Sequence, residues 1–408
     1  MNLWSLAIRN LLRNRRRSLL TGGVVVFGYA AFALAGGFMA QSLEGLREGT
    51  IRSGMGHLQI ARPEAFRSGA ETTLEYGLTQ SGEIETLLRR DAEVVEVLPR
   101  IDFFGLVTNG TRTVPFLGVG LDPQREARVM DTPRTISSGR WLASRDERGV
   151  VLGRGLAAAL GLGVDDGVTL LATTGDGTLN AVDAYVTGLA DIPIKELNER
   201  FLATSLSLAS DLLAASGSVS KLVVVLRDGA DAPRASSRLV DHLRGRQFDV
   251  AGRTWEELAA FYRQVRILYL GIFGFMGAVL VAVVLLACAN TMMMAATERT
   301  REIGTLRALG SRARSIRRQF LAEGMTLAAL GCVAGALLSL ALRQILNHSG
   351  IVLPPPPGAT SGTPLHIKIY GLAHAAGALA MLLTLAISSW LPARRASSQR
   401  IVDALTHV

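Results

Sequence analysis

Lysine is nearly missing from this basic chain. Of 43 Lys and Arg residues in a total of 408, only Lys195, Lys221 and Lys368 are lysines. None of them follows a glycine. The Gly-Lys pair of a nucleotide-cradling phosphate loop is therefore absent, which excludes nucleotide hydrolysis by that route. Cysteine is just as scarce, with Cys288 and Cys332 alone, so neither a disulfide framework nor a Cys-rich zinc site is available. The six histidines are scattered without paired ligand spacing, and no GxSxG elbow marks a serine nucleophile. Gly153-Arg154-Gly155-Leu156-Ala157-Ala158 matches the loose dinucleotide pattern. The helix after it is too short and no ribose-binding acid follows, so it reads as a tight strand-to-helix turn. Aromatics make up 6% of the chain and stud no basic stripe, which removes nucleic acid as the explanation of the +9 formal charge.

What the chain does have is four long apolar runs. Residues 18–40 and 267–290 contain no charged side chain, 320–342 contains only Glu323, and 369–391 has no Asp, Glu, Lys or Arg and one histidine, His374. Each is long enough to cross a bilayer, which takes roughly 20 residues at about 1.5 Å apiece. Residues 1–17, 291–319 and 392–408 together carry fifteen Arg against Glu298, Glu302 and Asp403, whereas 41–266 is slightly acidic. Cationic flanks stay cytoplasmic, so both termini and the short linker are expected inside and the large segment outside. The counter-charge is then the anionic lipid headgroup. A cleaved leader ending near Ala33-Leu34-Ala35 is disfavoured, because the apolar stretch is too long and three more spans follow. Within residues 1–17, Leu3, Trp4, Ala7, Ile8, Leu11 and Leu12 recur at helical spacing. An interfacial helix and a plain continuation of the first span fit this pattern equally.

The outward segment is large enough for its own core. Strand patterns cover Val94 to Val107 and Thr111 to Gly120, separated by the hairpin signal Asn109-Gly110, and recur at Val150 to Leu152, Val168 to Thr173, Ala184 to Leu189 and Leu222 to Leu226. Helical patterns fall at Ser81 to Arg90, Leu156 to Leu160, Leu206 to Ala215, Ala232 to Arg244 and Trp255 to Arg266. The mixture predicts one α+β domain, in one or two lobes.

Thr297 to Gly324 is the most informative stretch, since it is charged and compact between two spans. Ile303, Leu306, Leu309 and Ala308 are expected to share an apolar face, with Glu298, Arg301, Glu302 and Arg307 around it. Gly310 reads as a helix stop and Ser311 as the next N-cap. Such a helix suits insertion into a groove on a soluble partner; a solvated amphipathic loop on the headgroups is the plainer reading.

Three segments, AIRNLLRNRRRSLLT, ERTREIGTLRALGSRARSIRRQFLAEG and LPARRASSQRIVDAL, together resemble the FtsX-like permeases, the type VII ABC-transporter membrane subunits. Within the outward segment, DERGVVLGRGLAAALGLGVDDGVTLLA is similar to the MacB-type periplasmic core of that family. The resemblance implies a polytopic α-helical membrane protein with four transmembrane helices and one large α+β periplasmic domain between helices 1 and 2, in the bacterial inner membrane. It further implies a non-catalytic permease, paired with a second copy or a paralogue and bound to two cytoplasmic ABC ATPase subunits that hold ATP and Mg. The matching ATPase-coupling positions are Glu298, Arg301, Glu302, Gly304, Leu306, Arg307, Ala308, Leu309 and Gly310. Because MacB-type exporters carry a fused ATPase domain, the layout is closest to the lipoprotein-releasing permeases, which pass lipoproteins to a periplasmic carrier. Phe32, Phe38, Met39, Tyr269, Phe273, Phe275 and Met276 would then line the substrate cavity, although packing between spans explains them equally well. The other reading is mechanotransmission for efflux or envelope remodelling with a periplasmic adaptor or hydrolase. The polyproline run Pro354 to Pro357 departs from the lipoprotein-releasing pattern and reads as a spacer or docking site. The candidate carrier hook is the hairpin around Thr174, Gly175, Asp176 and Gly177.

Overall fold

A computed structural model describes residues 9–13, 15–67, 74–143, 148–215, 217–354 and 363–398. Residues 1–8 of the expected interfacial helix and Pro355 to Pro357 lie outside these; residues 9–13 are helical. The chain divides into two compact units. One comprises Met1–Glu44, Val265–Val352 and Pro364–Val408, the other Gly45–Gln264 and Leu353–Thr363.

Among the described residues, four helices are long and apolar enough to cross a membrane, Arg15–Met55, Ala260–Glu298, Ala313–His348 and Gly371–Arg395, and they supply most of the first unit. All are longer than the uncharged runs, because helical backbone continues into the polar flanks once nucleated. Val25, Tyr29, Ala33, Val284, Cys288, Leu327, Met381 and Leu385 form the interior of the bundle, while Ile267, Phe275, Leu286, Val333 and Leu337 point outward and are exposed. Apolar side chains on the outer face are what a lipid solvent permits. Small residues set the close contacts. At Gly331 an added methyl would lie 2.7 Å from the Val25 side chain, and at Gly335 it would lie 2.8 Å from the Val26 carbonyl oxygen. This small-xxx-small spacing seats the third span directly on the first.

Among the described residues of the second unit, ten strands form one sheet system: β1 (Leu58–Ala61), β2 (Val94–Thr108), β3 (Thr113–Leu121), β4 (Ile136–Gly139), β5 (Gly149–Gly153), β6 (Gly167–Thr173), β7 (Leu179–Ala190), β8 (Phe201–Ser205), β9 (Lys221–Leu226) and β10 (Ala251–Thr254). β2, β3, β8, β5, β7 and β6 close into a ring, since β6 pairs with both β7 and β2. Leu152, Leu170, Val186, Leu202, Phe103 and Phe116 fill its interior, the two phenylalanines edge to face at 5.5 Å. The opposite end of β2 joins β9, β1 and β10 in an antiparallel sheet, covered by the helices Ser81–Leu88 and Ala232–Arg244. Two lobes thus share one strand.

The Asn109-Gly110 hairpin forms where expected. Gly110 takes φ 89° and Asn109 Oδ1 accepts from the Thr111 and Arg112 amides at 2.9 and 2.8 Å. Gly153 and Gly155 do make a strand-to-helix turn: an added methyl at either would strike the Asn198–Glu199 segment. One expectation needs correcting. The helix over Trp255 to Arg266 is broken at Ala259 (φ −80°, ψ 75°) between Trp255–Leu258 and the long second span. The Arg263 guanidinium caps the break by donating to the Glu256 and Glu257 carbonyls, both at 2.5 Å, and Trp255 meets Tyr262 edge to face at 4.7 Å.

Polar contacts also hold this unit together. Arg100, on β2, donates to the Gly54 carbonyl at 2.5 Å and pairs with Glu126. Glu126 has no exposed surface, and that burial raises its carboxyl above the ordinary range despite the attraction of Arg100. His57 Nδ1 accepts the Leu226 amide at 3.2 Å; burial pushes this imidazole below its usual value.

Candidate functional site

The linker between the second and third spans folds as the helix Thr300–Ala308. Its start is set by Arg299, the single residue between it and the second-span helix, which leaves helical geometry at φ −99°, ψ 11°. Its end is a Schellman turn. Gly310 sits at φ 90°, its amide reaches the Arg307 carbonyl at 3.0 Å, and the Ser311 amide reaches that of Leu306 at 3.0 Å. Gly310 is therefore the expected stop. Ser311 is not the next N-cap: Arg312 holds that position in extended geometry, without a side-chain cap, before Ala313.

The apolar positions divide instead of sharing one face. Ile303 is buried against Ala296, Ile316, Phe320 and Ala393, and Gly304 is buried beside it. Leu306 is 38% exposed and Leu309 79% exposed, with Arg301, Glu302 and Ala308 also on the outer side and Arg307 half-buried. The inner side anchors the helix. The outer side presents two leucines amid both signs of charge, a surface chemically suited to a protein groove.

Ion pairs gather at this end of the unit. Arg13 meets Glu302 at 3.2 Å and Arg17 meets Glu298 at 2.5 Å. Glu323, only 5% exposed, accepts from Arg299 Nη1 at 3.0 and 3.2 Å through its two oxygens and from Asn10 Nδ2 at 2.5 Å. The sequence marks Glu323 as an isolated charge in a span but names no partner for it.

Of the candidate cavity residues, Phe38 and Phe273 stack at 6.1 Å and Tyr269 joins Phe273 at 5.9 Å. Phe32 lies against Gly277 and Gly377, within 3.2 and 3.0 Å of where a methyl would stand. Met39 is half-buried, whereas Phe275 is 73% exposed and Met276 also faces outward. The structure brings together three of the seven. In the second unit, the turn at Thr174 is closed by the Thr174 amide on the Thr178 carbonyl at 2.8 Å, leaving Gly175, Asp176 and Gly177 exposed at the tip.

Residues 18–242, more than half of the chain, match the MacB-like periplasmic core domain, and residues 274–401 match the FtsX-like permease C-terminal family. The chain belongs to the FtsX-like permeases with a MacB-like core domain. The second match contains the linker helix and the last two spans of this permease. Among curated relatives, the ABC transporter permease YtrF of Bacillus subtilis is 33% identical over 32% of this permease and 31% of its own length. The macrolide export ATP-binding/permease protein MacB of Salmonella paratyphi A is 31% identical over 49% of this chain and 29% of its own length. The pyoverdine export protein PvdT of Pseudomonas syringae is 37% identical over 29% of this chain and 16% of its own length. The chain thus aligns with less than a third of each of these relatives. Among solved structures, the periplasmic region of MacB from Actinobacillus actinomycetemcomitans covers 52% of this chain and 95% of its own, at 14% identity and a TM-score of 0.37.

Proposed function

We propose that this permease is the non-catalytic membrane subunit of an ABC transporter, driven by ATP and Mg bound on separate cytoplasmic ATPase subunits that dock on the Thr300–Ala308 helix. The observation carrying this reading is the division of that helix into an anchored inner side and an exposed Leu306/Leu309 side. Arginine-rich flanks support a reading in which the linker and both termini face the cytoplasm of a bacterial inner membrane and the α+β unit lies in the periplasm. A second permease copy or paralogue completes the complex. The ATPase cycle displaces the linker helix, and the displacement reaches the periplasm as a mechanical change.

The cargo reading is lipoprotein extraction from the outer leaflet, handed to a periplasmic carrier. The Phe38, Tyr269 and Phe273 cluster supports it, because adaptable aromatic surface suits an acyl chain. A second reading, export or envelope remodelling through a periplasmic adaptor or hydrolase, is favoured by relatives named for macrolide and pyoverdine export. Purification in nanodiscs with genomic neighbours, followed by mass spectrometry, tests both. An ATPase with a lipid-modified protein supports the first; an ATPase with an adaptor or hydrolase supports the second. Recovery of no ATPase under any condition overturns the coupling reading itself.

A further inference from the structure

Glu323 sits in the third apolar run with almost no solvent contact. A carboxylate in such a place persists only if donors replace its water. The donors come from two segments remote in sequence: Asn10, in the helical residues 9–13, and Arg299, the residue at which the backbone leaves one helix before entering the next. Arg299 is thus at the joint about which the linker helix would swing, and its side chain is tied across that joint to the third span. The neighbouring pairs Arg13–Glu302 and Arg17–Glu298 each have a carboxylate more than half exposed, so solvent screens them and they fix little.

We propose that Glu323 is a positioning residue that clasps Arg299 and Asn10, making the linker helix, the third span and the N-terminal segment move as one body. This inference rests on the linker helix being the element that an ATPase displaces. The geometry gives the reason. Ile303 supplies apolar anchoring farther along the helix, and a second fixed point at Arg299 prevents the helix from pivoting on that contact. Displacement then passes into the third span without being dissipated at the joint.

The test uses the full chain with its retained partners in nanodiscs, in a C288A/C332A background, spin-labelled at Thr305 and Leu330 and diluted with unlabelled chain. Both label positions are exposed. The parent is expected to give one narrow distance that is the same without nucleotide and with ATP trapped. In Glu323→Gln a second distance appears, its population rising above roughly 10%, and the R299E/E323R double exchange restores the single one. An unchanged narrow distribution in both Glu323→Gln and Arg299→Gln overturns the proposal. So does a parent distance that shifts on ATP trapping, since the helix then moves against the span. If no ATPase is retained, the coupling reading fails, yet the labelled chain alone still reports the clasp through the parent and Glu323→Gln distributions.

Discussion

Arg100 and Glu126 form a buried ion pair in the α+β unit, where the same guanidinium also holds the carbonyl of Gly54. Removing one partner strands the other charge, and this outcome differs sharply from removing both. Arg100→Ala is expected to destabilise the unit by about 3–5 kcal/mol. Arg100→Met with Glu126→Leu should recover most of that loss. Thermal unfolding of the purified chain compares the two; equal losses would show that the stranded carboxylate carries no penalty of its own.

The pH response of the pair has a definite sign. Because burial holds the folded Glu126 carboxyl above its unfolded value, the folded state binds the proton more tightly. Stability from this group is therefore full below the unfolded value and is lost as pH rises through the folded one. Glu126→Gln should flatten that fall in a stability-against-pH series.

His57 works in the opposite direction. Its folded value is depressed from 6.5 by burial, so stability is present above the unfolded value and lost as pH falls through the folded one. Protonation at Nδ1 would also remove the acceptor of the Leu226 amide. His57→Asn offers an oxygen to the same amide and is expected to keep neutral-pH stability while weakening the acidic loss. Amide exchange at Leu226 across this range is the direct measurement.

At the linker, Leu306→Asp is expected to weaken ATPase association by at least about 2 kcal/mol, roughly 30-fold, if this side chain is an anchor. Membrane insertion and the inner contacts of Ile303 should survive. Gly304→Pro breaks the helix itself and should abolish coupling. A pull-down showing wild-type ATPase retention by Leu306→Asp would remove the outer side of this helix from the interface.

Gly335→Leu tests the seat of the third span. With the Val26 carbonyl so near, the larger side chain has to push the first span away, at a cost of about 1–3 kcal/mol. Cross-linking between cysteines placed on the two spans should fall, while a matched change at Gly271, where nothing lies within 4 Å, leaves it unaltered.

Legibility in the sequence followed the range of the interaction. The β2–β3 hairpin was readable because Asn109 and Gly110 determine the turn locally, and Ala232–Arg244 was readable from its helical spacing. β1 was not, since Leu58–Ala61 is buried at all four positions and shows no alternation. β8 is short and runs straight into the helical pattern at Leu206, so its pairing with β3 and β5 has no local signal. At the linker, the stop at Gly310 was local and visible. The turning-in of Ile303 was not, because its neighbours Ile316, Phe320 and Ala393 are supplied by other helices. Glu323 stood out as a charge, but Asn10 is 313 positions away, and only the folded bundle brings them together.

β2 pairs with β9 along Val94 to Arg100 and with β3 from Ile101 to Thr108. Neither lobe owns it. A protein engineer seeking to graft the six-stranded ring onto another permease would find no clean splice point, because a cut between Arg100 and Ile101 deprives both halves of a stave. The α+β unit would have to be exchanged whole, and its modularity begins only at its outer borders.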